Sequence, residues 1–472
     1  MPADTNTGGN YKWLAFLTVS IGTFMGTLDA SIVNIALPRL TSVFNSDSST
    51  VLWVSVAYLL TSCSLMLSLG KLGDTLGKKR IYTLGYAIFT VGLVLCSLSQ
   101  SITQLIMFRV IQGIGSAMTI SLGMAIATAS FPAAERGKAL GMLASVVSIG
   151  LLTGPVLGGV LVDSLDWRSI FYLRIPVGIL GLVMAWLILK DDRAENVVFK
   201  FDFIGTATLF GGLASLLLFF NFGGRMGFLS PLILGLGTLA ILCFTLFVVF
   251  EKRAVFPIVD LSLFRSRLFA GGNIGLGIMF LAQANIIFLL PFYLIQGLGY
   301  SASKSGLLMA IPALVTLLVG PLSGWLSDRI GSRSLCILGS VLTVVSLFLL
   351  SGLDAESGYT DISLRMALFG TGIGVFYPPN NNSIMGSVSR QRLGSASAML
   401  ATMRQVGMST GVAIAGTIFA SRQLYYSQKL SGEIASQDLL GRLSLINGFQ
   451  DTLVIAGFIC LIAVLASFAR GK

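Results

Sequence analysis

The sequence contains no histidine, and only 11% of its residues are charged, where a soluble globular chain carries roughly a quarter. The first absence removes imidazole as a metal ligand and as the general base of a nucleophilic site. The second excludes a soluble protein, because hydrophobic residues make up 54% of the chain. They fall in runs of about 20 without alternation of polar and apolar positions, the length that crosses a bilayer as a helix rather than as a barrel strand. Cysteine is scarce: Cys63, Cys96, Cys243, Cys336 and Cys460 each sit inside an apolar run with no paired spacing. A disulfide framework or metal cluster is therefore not expected, and these residues read as small buried hydrophobes. No Gly-x-x-x-x-Gly-Lys-Ser/Thr loop occurs, so ATP hydrolysis has no site. No enzyme constellation is present and no cofactor is called for.

What is present is a succession of apolar segments. Reading them between charged or turn-rich links gives about 14 spans, with cores at 13–37, 51–70, 81–100, 103–128, 138–162, 169–189, 202–221, 231–250, 269–291, 304–327, 334–353, 363–387, 397–420 and 449–469. The first span is too long, and has the wrong flanks, for a cleaved signal peptide. The net charge of +11 does not indicate a nucleic-acid partner, because the basic residues gather in short links such as Lys78, Lys79 and Arg80 without interleaved aromatics. They are topology signals. Twenty Lys or Arg residues lie in links on the N-terminal side and seven on the opposite side, which places both termini in the cytoplasm.

An internal repeat is visible. Gly70-Lys71-Leu72-Gly73-Asp74-Thr75-Leu76-Gly77 and Gly324-Trp325-Leu326-Ser327-Asp328-Arg329-Ile330-Gly331 share the frame Gly-x-Leu-x-Asp-x-x-Gly, after spans two and ten. The repeat unit is thus six spans, with an extra pair inserted: residues 1–195 form one six-helix bundle, 196–255 two inserted helices, and 256–472 a second six-helix bundle. Parallel six-helix repeats are the plan of a large transporter class.

Of the 20 acids, Asp29 alone lies clearly within the hydrocarbon, where ionisable groups are costly and usually functional. A rise of about 1.5 Å per residue places Asp29 roughly 24 Å in from the cytoplasmic side. The same arithmetic puts Arg109 about 9 Å and Arg174 about 8 Å below the outer surface, so the three can share one layer. For Arg174 an equal alternative is snorkelling to the outer interface. Burial favours the protonated acid and a guanidinium favours the carboxylate, so an acid set this way can exchange a proton as its access alternates. A static buried ion pair is the plainer alternative. On span five, Gly150, Gly154 and Gly158, with Pro155 and Gly159, make a small-residue face at i, i+4, i+8 that admits a neighbouring helix closely. Candidate cavity residues are Asn34, Gln112, Gln283, Asn285, Tyr377, Asn380, Asn381 and Asn382. Pro378-Pro379 is expected to interrupt span twelve, and the link 421–448 to hold an interfacial helix on the outer leaflet.

Four motifs carry a family resemblance. The loop Gly70 to Arg80, Arg109-Val110-Ile111-Gln112-Gly113, Gly150 through Gly154-Pro155-Val156-Leu157-Gly158-Gly159, and Leu28-Asp29-Ala30-Ser31-Ile32-Val33-Asn34 through Pro38 together resemble the major facilitator superfamily, and within it the 14-span drug:proton antiporters. The resemblance implies an all-α polytopic fold of two six-helix bundles plus two additional helices. It implies an inner gate formed by Gly70, Asp74, Gly77 and Arg80, with Asp74 at the start of span 13 around Ser395 to Ser397 and Arg136 as its ion-pair partner. Asp328 is the repeat-related acid, and Arg404 acts near the same gate. It makes the span-five motif a seal against leak, and gives Asp29 and Arg109 the coupling proton. One departure matters: where the family usually has Asn, this chain has Arg174.

The expected function is a proton-coupled antiporter that exports amphipathic small molecules or drugs by alternating access, in a bacterial cell membrane, as a monomer. The alternative is a dedicated transporter of one metabolite, vitamin, antibiotic or lipid, anionic or zwitterionic, which Arg174 supports. An ion channel is disfavoured by the lack of a pore loop or charged ring.

Overall fold

Most links between the long helices carry their own start or stop signal. Asp47, Ser101, Asp202, Ser266, Ser301 and Ser436 each accept a backbone N–H of the following first turn, pairing a donor that a helix start otherwise leaves open. The computed structural model describes residues 8–132, 135–191, 202–253, 261–388, 393–432 and 436–469, and no strand occurs among them. The helices are α1 (Gly8–Val43), α2 (Ser48–Leu76), α3 (Lys78–Ser97), α4 (Ile102–Ser130), α5 (Arg136–Ser164), α6 (Ser169–Tyr172), α7 (Ile175–Ile188), α8 (Phe203–Met226), α9 (Pro231–Arg253), α10 (Arg267–Phe292), α11 (Ala302–Ile330), α12 (Ser332–Ser351), α13 (Tyr359–Gly386), α14 (Leu393–Leu430) and α15 (Gln437–Phe468).

Twelve helical stretches among the described residues are long and apolar enough to cross a membrane, so the chain is an all-helical, multi-pass membrane protein. α13 and α14 fall outside those twelve; Asn380, Asn381 and Asn382 in the first, and Arg404, Gln405, Ser409 and Thr410 in the second, dilute their apolarity. The expected domain boundaries, at 195 and 255, lie outside the described residues.

α1 packs on α4, α5 and α7, while α4 also packs on α2 and α3. In the second half α10 packs on α13, α14 and α15, and α13 on α11 and α12. The halves meet chiefly where α5 lies along α11 and α2 along α14, and α8 packs on α2 and α14 with α9 against α8. Ser68 on α2 donates to Thr206 on α8 at 2.9 Å, and Thr417 on α14 to the Phe220 carbonyl. The repeated frame is repeated in geometry too. Gly77 ends α2 with φ +98° and Gly331 ends α11 with φ +84°, a conformation that glycine adopts without steric penalty.

Small residues on α5 do what their spacing predicts. A Cβ on Gly150 would lie 2.1 Å from Thr27 Oγ1, and one on Gly154 1.9 Å from Ser31 Oγ, both on α1. The seam with α11 is as close: a Cβ on Gly159 would stand 2.4 Å from the Ala302 carbonyl oxygen, and one on Gly306 2.1 Å from that of Pro155. At the end of this seam Asp163 accepts from the backbone N–H groups of Ala302 at 3.1 Å and Ser303 at 2.7 Å, and from the Ser303 hydroxyl at 2.5 Å. Alongside, Gln296 donates to the Pro38 carbonyl at 3.2 Å and Thr41 Oγ1 at 2.8 Å. The two halves are thereby latched at the end of the bundle away from the termini.

Two expectations are corrected. α13 runs unbroken through Pro378 and Pro379. Proline at 378 leaves the Gly374 carbonyl without its helical donor, and Ser323 of α11 donates to that oxygen at 2.7 Å instead. Among its described residues the link 421–448 holds no separate interfacial helix: α14 and α15 extend into it, held by Arg422 on Asp451 at 2.6 Å and by Arg442 on the Gly297 carbonyl. Span six holds as one apolar stretch, Ser169–Ile188, made of the short α6 and then α7, with Arg174 at the junction ahead of Pro176.

Candidate functional site

The first half encloses a charged cluster built from three helices. Asp29, at 0% exposure, is placed by α1, Arg109 and Gln112 by α4, and Arg174 by the α6–α7 junction. Arg109 Nη1 donates to Asp29 Oδ2 at 2.6 Å, and Arg174 Nη1 to Asp29 Oδ1 at 2.6 Å. Gln112 Nε2 also donates to Oδ1, at 3.0 Å, while its own oxygen accepts from Arg109 Nη1 at 2.7 Å. Arg174 therefore does not snorkel; it is buried on Asp29. Charge-assisted contacts of this length are the strong class of hydrogen bond.

Two guanidiniums against one carboxylate leave the cluster with one excess positive charge, which an apolar interior tolerates only where other groups share it. Arg109 Nε donates to the Val54 carbonyl at 3.0 Å, and Arg174 Nε to that of Ile170 at 2.5 Å. Tyr58 on α2 places its ring 4.1 Å from the Arg109 Cζ, a cation–π contact, and anchors its hydroxyl on Ser116 at 2.7 Å. Cys96 on α3 lies 3.8 Å from the Gln112 oxygen. One atom is left over: Arg174 Nη2 is buried with no acceptor among the described residues.

The second half carries a different polar centre. Tyr377 on α13 donates to Gln283 Oε1 on α10 at 2.9 Å and stacks on Phe280 with centroids 4.6 Å apart. Arg404 on α14 is half-buried and close enough to Tyr377 to interact with it electrostatically. It thus faces the polar centre, where the sequence placed it at the inner gate. Asn380 buries its whole amide without a partner among the described residues, as Asn273 does its oxygen, whereas Asn381 and Asn382 are exposed.

Other sequence candidates are structural in this arrangement. Asn34 donates to the Ala30 carbonyl at 2.7 Å and accepts from Ser55 at 3.1 Å, tying α1 to α2; Asn285 bonds back to the Leu281 carbonyl of its own helix. Of the residues expected at an inner gate, Gly70 packs near Ser121, and exposed Arg80 pairs with Asp191 at 3.6 Å. Asp328 is exposed. The side chains of Asp74, Arg136, Ser395 and Ser397 lie outside the described residues. Sequence reasoning missed Tyr58, Cys96 and Asp163. The first two carry no pattern of their own, while Asp163 stands shortly after the Gly158-Gly159 pair, a position that could have marked it as facing a close neighbour.

The model for the Major Facilitator Superfamily matches residues 19–412. A riboflavin transporter, RibZ, of Clostridioides difficile is 35% identical over 425 residues, covering 90% of this chain and 92% of that protein. The tetracenomycin C resistance and export protein of Streptomyces glaucescens is 31% identical, covering 87% of this chain and 76% of that one. A multidrug transporter, MdtP, of Bacillus subtilis is also 31% identical, covering 85% and 74%. Among solved structures, a bacterial homologue of the human lysosomal transporter Spinster, inward-facing and unoccupied, superposes with a TM-score of 0.72 at 16% identity, covering 98% of both chains. The chain belongs to the major facilitator superfamily and is a membrane transporter, not an enzyme.

Proposed function

We propose that this protein is a proton-coupled secondary transporter that carries an amphipathic small molecule across a bacterial cell membrane by alternating access, as a monomer with both termini in the cytoplasm. Fourteen spans would form two six-helix bundles, residues 1–195 and 256–472, rocking about the α5–α11 and α2–α14 seams, with α8 and α9 as an inserted pair. The observation that carries the reading is Asp29, fully buried between Arg109 and Arg174. An acid so placed is either protonated or paired, and a change of access switches it between the two. Protons are the coupling ion and no cofactor takes part. Export is the direction supported by the name of one relative, a resistance and export protein.

A second reading is a dedicated transporter of one metabolite, anionic or zwitterionic. The excess positive charge at Arg174 favours it, as does the relative named for riboflavin. The test of the shared part is substrate-induced proton movement in proteoliposomes holding a pH dye, for wild type and Asp29→Asn. Proton flux that disappears in the variant supports Asp29 as carrier; flux that persists would falsify it.

A further inference from the structure

Arg109 and Arg174 hold the same carboxylate, yet they are not equivalent. Arg109 is enclosed by the Val54 carbonyl, the Gln112 oxygen and the Tyr58 ring. Arg174 meets Asp29 with Nη1 and the Ile170 carbonyl with Nε, and its Nη2 is left without an acceptor while the residue is only 3% exposed. A buried charged donor without an acceptor is costly, more so than a neutral one. Its neighbourhood is also short of negative charge. The cluster holds two guanidiniums and one carboxylate. Arg174 stands, besides, at the start of α7 (Ile175–Ile188), where the positive end of the helix dipole favours an anion.

We infer that Arg174 is the docking point for an anionic group of the cargo, a carboxylate, sulfonate or phosphate on an amphipathic body, and that it sets the charge selectivity of the site. This rests on the reading that Asp29 carries the proton, and gives that reading a sign. Asp29 Oδ1 is shared between Arg174 and Gln112. An anion that takes over Arg174 leaves the carboxylate with Arg109 as its remaining guanidinium, so a proton from the medium is taken up as the anion binds. The groups facing Asp29 are Arg109 and Gln112 from α4 and Arg174 from the α6–α7 junction, with Tyr58 from α2 and Cys96 from α3 behind them; none supplies a second carboxylate. A cation would instead compete with the proton and release it.

The experiment compares two probes built on one ring, naphthalene-2-sulfonate and the trimethylammonium cation of the same naphthalene, with the purified full-length protein. Thermal unfolding and proton exchange with a weakly buffered medium are read together. The expected result is a rise in unfolding temperature and proton uptake with the sulfonate, neither with the cation, and a weakening of sulfonate binding by about ten-fold or more in Arg174→Asn. Arg174→Lys, which keeps the charge and loses the fork, should bind the sulfonate with intermediate strength; the paired probes on wild type need no variant to fold. The inference is overturned if the cation stabilises the wild type as well as the sulfonate does, if the sulfonate response survives in Arg174→Asn, or if the wild type gives no sulfonate response up to millimolar concentration. Proton release driven by the cation and abolished in Asp29→Asn would remove the role of Arg174 and leave Asp29 as carrier. Sulfonate binding that needs Arg174 but moves no proton would leave the docking role and remove Asp29 as carrier.

Discussion

In the first half of the molecule Asp29 is met by three donors, and each guanidinium places its Nε on a backbone carbonyl. In the second half, Asn380 buries both ends of its amide with no partner among the described residues, and Tyr377 and Gln283 hold each other beside Arg404. The first arrangement fixes charge in a net, where Asp29, Arg109 and Gln112 are each bonded to at least two others. The second consists mostly of neutral groups with bonding capacity to spare, which a ligand's polar atoms can use at little electrostatic cost. The difference teaches that a superfamily built on a six-helix repeat need not repeat its chemistry. The frame at Gly77 and Gly331 is copied in sequence and in backbone, whereas the polar interiors are not.

That contrast can be broken most sharply at Asp29. Asp29→Asn leaves two buried guanidiniums without a counter-charge, and stability should fall by about 3–5 kcal/mol, read by thermal unfolding, together with loss of proton-coupled transport. A variant as stable as the wild type would mean that the net does not fix the charge. Next comes the seam between the halves. Gly306→Ala puts a Cβ against the Pro155 carbonyl; overpacking of about 1–3 kcal/mol should push the latched end open, measured as faster maleimide labelling of a Ser303→Cys reporter. In the second half, Tyr377→Phe removes the bond to Gln283. It should change stability by only about 1 kcal/mol while raising KM for the cargo, the opposite balance from Asp29→Asn.

The smallest effect is expected at Asp354, in the link between α12 and α13. The Ser357 hydroxyl at 2.8 Å and the Glu356 N–H at 3.0 Å hold its carboxyl below the usual range. A carboxyl lowered by folding stabilises the protein above its unfolded pKa and loses that contribution as pH falls through the folded value. Asp354→Asn should therefore unfold slightly earlier than wild type at neutral pH, and the gap should close in acid.

Much of this was legible in the residues. Apolar runs and glycine-marked turns located the helices, and the rise per residue put Asp29, Arg109 and Arg174 on one level before any contact was known. What escaped were effects decided by which partner a side chain takes, near or far in sequence. Pro378-Pro379 reads as a break unless Ser323 is known to serve the Gly374 carbonyl. Asn34 and Asn285 read as cavity residues because a side chain's choice of its own helix leaves no trace in spacing. Gln112, read as lining a cavity, instead bridges Arg109 and Asp29. Arg174 stayed undecided between interface and interior, since a long cation suits either.

The contact of Asp163 with the first turn of α11 has a consequence for how the protein can vary. Two of its three bonds address main-chain amides, which every residue except proline offers. The bond at position 302 thus does not depend on the chemistry of its side chain, which is small and buried, and replacing Ser303 removes one bond of three. Replacing Asp163 removes all of them. The hydrogen bonding of this clasp therefore depends on one side chain, while its partner side is mostly main chain.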